Sequence, residues 1–112
     1  MRDSMDPIEE LKKLFGIVLR SEESGKTYFL IPQLAMPDGC TPARTDVLLC
    51  PSERDGYPSR LFFAERVACK GTPNWTTVVR ILERTWHAFS WRVPQTDLRP
   101  AQLVLAHLKG LR

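Results

Sequence analysis

Long apolar runs are missing from this 112-residue sequence. No stretch approaches the roughly 20 residues that a membrane-crossing helix needs. The opening MRDSMDPIEELKK is polar and acidic where a secretory signal would carry an uninterrupted apolar segment, so the expectation is a cytoplasmic protein with no membrane partner. Cysteine is sparse: Cys40, Cys50 and Cys69 are odd in number and widely spaced, which suggests neither a disulfide framework nor the short paired intervals of a zinc site. Reduced thiols are expected. The two histidines, His87 and His107, have no carboxylate or cysteine at ligand spacing beside them, and no glycine-rich phosphate loop appears. Neither a metal nor a cofactor is therefore implied.

What is present is ordinary for a folded chain. Hydrophobic residues make up 43% and charged residues 26%, which argues against disorder, and the length suits one domain over residues 1–112. Charge is distributed unevenly. Residues 1–65 hold eight Lys or Arg against eleven acids, whereas residues 66–112 hold eight against two. A C-terminal part of +6 would attract an acidic partner surface or a phosphate backbone, or else form a solvated basic face.

Asp6, Pro7 and Glu9 read as a helix start, followed by a stripe of Ile8, Leu11, Leu14 and Phe15 and a stop at Gly16. Ile17 to Leu19 and Thr27 to Ile31 read as a hairpin around SEESG. Further strands are expected over Thr45 to Cys50, closed by Pro51, and over Leu61 to Ala68. Together they predict a four-stranded antiparallel meander with one face under helices and the other wet. From Trp75 to Phe89, intervals of three and four among Val78, Ile81, Leu82, Thr85, Trp86 and Phe89 predict a helix. A last helix is expected after the cap candidates Thr96 and Asp97, with Leu98, Ala101, Leu105 and Leu108 on one face, Pro100 in its first turn and Gly110 at its end. The fold class is α+β.

The segment YPSRLFFAERVACKGTPN, Tyr57 to Asn74, sets a Tyr-Pro pair and a Pro-Asn pair on either side of one strand-like stretch. Trp91, a proline and an apolar helix follow in WRVPQTDLRPAQLVLAHLKGL. In this order and at these separations, the motifs resemble the core signature of the ubiquitin-conjugating enzyme superfamily. There a Tyr-Pro turn precedes the last strand, a His-Pro-Asn turn follows it, and a tryptophan, a proline and an apolar helix come later. The resemblance runs from about Pro7 to Leu111 and is strongest to the minimal bacterial members, which occur with ubiquitin-like proteins, activating enzymes and metal-dependent peptidases. It implies a UBC-like fold with an N-terminal helix, a four-stranded meander and C-terminal helices. The implied partners are a ubiquitin-like protein and its activating enzyme, with no cofactor.

The implied chemistry is acyl transfer through a thioester, with a donor near the carbonyl oxygen as negative charge develops there. By position after Pro73, Asn74 carries over as the oxyanion donor. Thr72 replaces the family's histidine, and Tyr57, Pro58, Pro73 and Trp91 would shape the site. The thiol departs from the pattern, because no cysteine follows Asn74 and the expected place falls near Ile81 and Leu82. Cys69, beside Lys70 and three residues after Arg66, is the one cysteine near the presumed cleft. It reads either as a displaced nucleophile or as a small apolar strand-end residue. Cys50 and Cys40 read as structural. A hydroxyl nucleophile, Ser90, Thr76 or Thr77, would need a base, for which His87 is the neighbour in sequence.

Three functions stay open on this reading. One is a conjugating-type enzyme without a conventionally placed cysteine, and the second is a non-catalytic adaptor of the same fold that binds a ubiquitin-like protein or its activating enzyme. The third is a small basic nucleic-acid binder using Trp75, Trp86, Phe89 and Trp91 amid Arg80, Arg84 and Arg92, although these aromatics fit core packing equally well.

Overall fold

Pro7 opens the first helix in the computed structural model, which describes residues 7–71, 73–94 and 97–111. This helix, α1 (Pro7–Phe15), places Glu9 and Glu10 in its first turn and Lys12 and Lys13 in its last, each matched to the local end of the helix dipole. It ends where Gly16, at φ +92°, bonds its N–H to the Lys12 carbonyl at 2.9 Å. Leu11 is fully buried, with Ile8 and Phe15 packed beside it, but Leu14 is 58% exposed and lies off the expected stripe. The cap candidate Asp6 lies outside the described residues.

Six strands form one antiparallel sheet: β1 (Leu19–Glu23), β2 (Lys26–Ala35), β3 (Arg44–Cys50), β4 (Arg60–Phe63), β5 (Trp75–Ile81) and β6 (Arg84–Phe89). Their order across the sheet is β1-β2-β3-β4-β6-β5. The first hairpin is tighter than SEESG suggested. Ser21, Glu22 and Glu23 are already in β1, and only Ser24 and Gly25, both at positive φ, make the turn. Register between β2 and β3 slips at a bulge between Ile31 and Leu34, where Gln33 adopts φ 51° and donates its N–H to Asp46 Oδ1 at 2.9 Å. β4 is much shorter than the expected Leu61 to Ala68. Beyond Phe63 the chain leaves the sheet, and Ala68 pairs instead with Thr41 in the loop after β2.

The largest correction concerns Trp75 to Phe89, expected as a helix. It is the β5–β6 hairpin, paired from Trp75↔Phe89 to Ile81↔Arg84. Along β5, Thr76, Val78 and Arg80 are exposed while the residues between them are partly or fully covered. That alternation is the signature of a strand, and the β-branched Thr76, Thr77, Val78, Val79 and Ile81 favour it. The turn carries two non-glycine residues at positive φ, Leu82 at 52° and Glu83 at 63°. Glu23 on β1 anchors it by accepting the Leu82 N–H at 3.0 Å.

This hairpin explains why β3 and β4 read as unbroken apolar runs. Phe29, Ile31, Val47, Leu49, Leu61 and Phe63 face a core shared with the helices. Tyr28, Leu48, Cys50 and Phe62 face a second cluster with Ile81, Trp86 and Ala88. The face expected to be wet is therefore covered, and Trp86, 1% exposed, donates its indole N–H to the Ile81 carbonyl at 3.0 Å. Arg84 adds a tie of 3.1 Å to Asp46. Burial pushes the Asp46 carboxyl up, but the Gln33 N–H and the Arg84 guanidinium outweigh it and hold that carboxyl below its ordinary range.

Helix α2 (Pro100–Leu108) runs into a 3₁₀ turn over Lys109–Leu111. Pro100 occupies its first turn, and the N–H of Arg99, the capping residue, donates to Gln102 Oε1 at 2.9 Å. The cap thus falls later than Asp97, and Thr96 lies outside the described residues. Ala101, Leu103, Val104, His107 and Leu108 are buried, whereas Leu105, expected on that face, is 51% exposed. Arg99 also pairs with Glu10 of α1 at 2.9 Å. Among the described residues no helix is long and apolar enough to cross a membrane.

Candidate functional site

The Tyr-Pro pair sits at the end of a tight loop. Arg54 and Tyr57 exchange backbone hydrogen bonds of 2.9 Å in each direction, and the Gly56 N–H donates to Glu53 Oε2 at 2.9 Å. Gly56 has φ +84°, which suits a residue without a Cβ. The half-buried Tyr57 ring carries two guanidinium groups, Arg60 at 4.2 Å and Arg92 at 5.1 Å from its centroid. Arg60 is only 4% exposed, and its charge is met by Asp55 at 3.4 Å and by the Thr77 hydroxyl at 3.4 Å. Pro58 next to Tyr57 is also half-buried.

The Pro-Asn pair reaches the same place from the other side. Pro73 is half-buried and Asn74 exposed, and the Asn74 carbonyl accepts the Ser90 N–H at 2.9 Å. Ser90 also shares a 3.2 Å hydrogen bond with the Thr76 hydroxyl. Trp91 is 40% exposed, donates its indole N–H to the Ala106 carbonyl at 3.2 Å, and packs against Gly110. Residues 90–92 therefore join both turns: Ser90 holds Asn74, Arg92 reaches Tyr57, and Trp91 between them is pinned to the second helix. Thr72 lies outside the described residues.

Cys69 is not a free thiol, contrary to expectation. It forms a disulfide with Cys40, and the bond is flanked by paired Thr41–Ala68 backbone hydrogen bonds of 2.8 Å. Cys40, which reads as structural in the sequence, is brought directly onto Cys69 by the loop after β2. The remaining cysteine, Cys50, is fully buried and lies in the second core cluster, where its thiol contacts the Ser52 carbonyl at 3.5 Å. The Ser90 and His87 pairing also fails. Three positions apart on an extended chain, these side chains point to opposite sides, and His87 Nδ1 is buried without a hydrogen-bond partner.

One buried polar pair escaped the sequence reading. Ser59, directly after Pro58, shares a 2.9 Å hydrogen bond with His107 Nε2, and the two residues are 1% and 3% exposed. Burial first, and the nearby Arg60 charge second, push the His107 pKa down from 6.5 to about 4. The imidazole is thus neutral at pH 7. It ties the Tyr-Pro turn to α2 and, at that depth, meets no substrate. No spacing signal links positions 48 residues apart, so only the fold could reveal the pair.

Of the aromatics considered as a stacking surface, Trp86 and Phe89 are buried. Trp75 packs edge-on against Phe63 and Phe89 at 5.4 and 5.2 Å, which leaves Trp91 as the one markedly exposed ring of the four. Among the described residues no three His, Cys, Asp or Glu side chains come together as metal ligands. No protein-family model, curated protein or solved structure matches the chain.

Proposed function

We infer that this chain is a UBC-like protein of a ubiquitin-like modification pathway, binding a ubiquitin-like protein and its activating enzyme. The observation that carries the reading is the meeting of the two proline turns at residues 90–92, with Ser90 on Asn74 and Arg92 on Tyr57. That arrangement is what the motif order implies if both turns border one notch. Asn74 spends its carbonyl on Ser90, while its exposed carboxamide can turn its N–H groups toward a bound acyl group. Cys69 in its reduced form would be the acyl acceptor.

A second reading is favoured by one specific observation. Cys69 is bonded to Cys40 and the remaining thiol, Cys50, is buried, so a protein held in this state would only bind its partners as an adaptor. Incubation with activating enzyme, ubiquitin-like protein and ATP separates the two. An adduct cleaved by thiols and lost in Cys69→Ala is the enzymatic outcome. Stable complex formation without any adduct, under reducing conditions, is the adaptor outcome, and absence of both removes the pathway assignment.

A further inference from the structure

We propose that Cys40 and Cys69 form a reversible thiol–disulfide pair that takes small-molecule disulfides such as oxidised glutathione and withholds Cys69 from acyl transfer while it is closed. The consequence for acyl transfer rests on the reading of Cys69 as acyl acceptor; the exchange chemistry does not.

The two sulfurs belong to two irregular segments that lie side by side outside the sheet's strands. Cys40 lies in the loop between β2 and β3, and Cys69 lies in the excursion between β4 and β5. Two Thr41–Ala68 backbone hydrogen bonds of 2.8 Å run beside the disulfide and tie the same two segments without passing through the sulfurs. On this proposal they keep the two thiols within reach of each other once the disulfide opens. Their environments differ in a way that assigns roles. Cys69 is half-buried and lies in sequence between the exposed cations Arg66 and Lys70, neither of which joins an ion pair among the described residues, whereas Cys40 is buried. Its greater access favours Cys69 as the sulfur that meets an incoming disulfide. The Lys70 stem lies across Gly39, with carbons 3.8–4.0 Å from where a Cβ would stand, so the cation-bearing side chain is packed onto the loop that carries Cys40.

The steps balance as ordinary exchange. The Cys69 thiolate attacks oxidised glutathione, forming a mixed disulfide and releasing one glutathione thiolate. The Cys40 thiolate then attacks the Cys69 sulfur, closing the protein bond and releasing the second. The protein dithiol loses two electrons and two protons, and one glutathione disulfide becomes two thiols. Reduced glutathione or a dithiol oxidoreductase runs the sequence backwards. A bonded Cys69 has no lone thiolate to accept an acyl group, so closing the bond switches that chemistry off.

The test uses the full chain in glutathione buffers, read by intact-mass spectrometry, iodoacetamide alkylation of Cys69 and circular dichroism. Wild-type protein is expected to keep its folded spectrum when reduced and to alkylate at Cys69. In oxidised glutathione it should lose that alkylation, along with two thiols, and retain no glutathione. Cys40→Ser should stop at a glutathione adduct on Cys69. The proposal is overturned if reduced wild type loses its folded spectrum, since the bond would then be a permanent staple, or if oxidised glutathione leaves both thiols free. These readouts involve no activating enzyme. A failure to form any thioester would therefore count against the pathway reading and leave the exchange result standing.

Discussion

Ser59 Oγ stands 2.9 Å from His107 Nε2 in a position almost closed to water. The hydroxyl follows the Tyr-Pro turn directly, and the imidazole faces it from the second helix. A neutral histidine thus fixes the turn on which the proposed notch depends.

Acid should loosen this tie in a defined window. The folded-state pKa of His107 is lowered to about 4, while the unfolded value is 6.5. Above 6.5 neither state binds a proton at this site, so its stabilising contribution is complete. As pH falls from 6.5 towards about 4 the unfolded chain gains the proton first, and stability is lost across that interval. The full loss is on the order of 3 kcal/mol. Urea denaturation between pH 7.5 and 4.5 measures it. His107→Gln, which keeps a hydrogen-bonding group but does not titrate, should flatten the curve. Asp46 acts in a lower range, since a depressed carboxyl keeps its contribution until pH falls through its ordinary value of 3.8.

Removing the hydroxyl instead of the charge gives a complementary result. Ser59→Ala leaves a buried imidazole nitrogen unpaired, at a cost of roughly 1–3 kcal/mol. If chemical denaturation at pH 7.5 showed no change, the pair would be incidental to the fold.

The β5–β6 hairpin shows where sequence reasoning succeeded and where it did not. Helix α1, the first hairpin and β3 were legible because each carries its own punctuation, Pro7 and Gly16, Gly25, and Pro51, whereas α2 was legible from its apolar spacing, with a start later than the Asp97 cap candidate. The turn between β5 and β6 carries none. Leu82 and Glu83 adopt positive φ without being Gly, Asn or Asp, and intervals of three and four among the surrounding apolar residues then outweighed the β-branched composition of β5. The motifs at Tyr57, Asn74 and Trp91 were visible, but their meeting at residues 90–92 depends on that same hairpin. The Cys40–Cys69 bond joins positions 29 apart through loops, which no spacing rule anticipates.

Strain at that turn predicts a gain of stability. Glu83 is exposed at φ 63°, a conformation that costs an ordinary L-residue roughly 1 kcal/mol and glycine almost nothing. Glu83→Gly should therefore raise the midpoint of thermal unfolding. A lowered midpoint would mean that the carboxylate or the chain entropy added by glycine outweighs the relieved strain.

Burial of the second sheet face can be tested at its largest side chain. Trp86 is 1% exposed, sits beside Ile81 and Ala88, and carries the Arg84 guanidinium 4.6 Å from its ring centroid. Trp86→Ala should cost about 3–5 kcal/mol. Trp86→Phe should cost less but still leave the Ile81 carbonyl without its indole donor. Were Trp86 exposed to water, neither change would exceed a few tenths of a kcal/mol.

The last experiment concerns how Trp91 is held over the end of α2. A Cβ built at Gly110 would stand 2.6 Å from the Trp91 ring and 2.7 Å from the Phe89 ring. Both neighbours are rigid aromatics and one of them is buried, so neither can retreat as a flexible chain end would. Gly110→Ala should cost about 1–3 kcal/mol. Because Trp91 is partly exposed and lies between Ser90 and Arg92, the displaced ring should also be seen in tryptophan fluorescence. The shift should persist under native conditions, where the protein is still folded. Destabilisation without a fluorescence change would place the strain on α2 itself. A fluorescence change accompanied by weaker binding of the proposed ubiquitin-like partner would connect the ring to the proposed notch between the two proline turns.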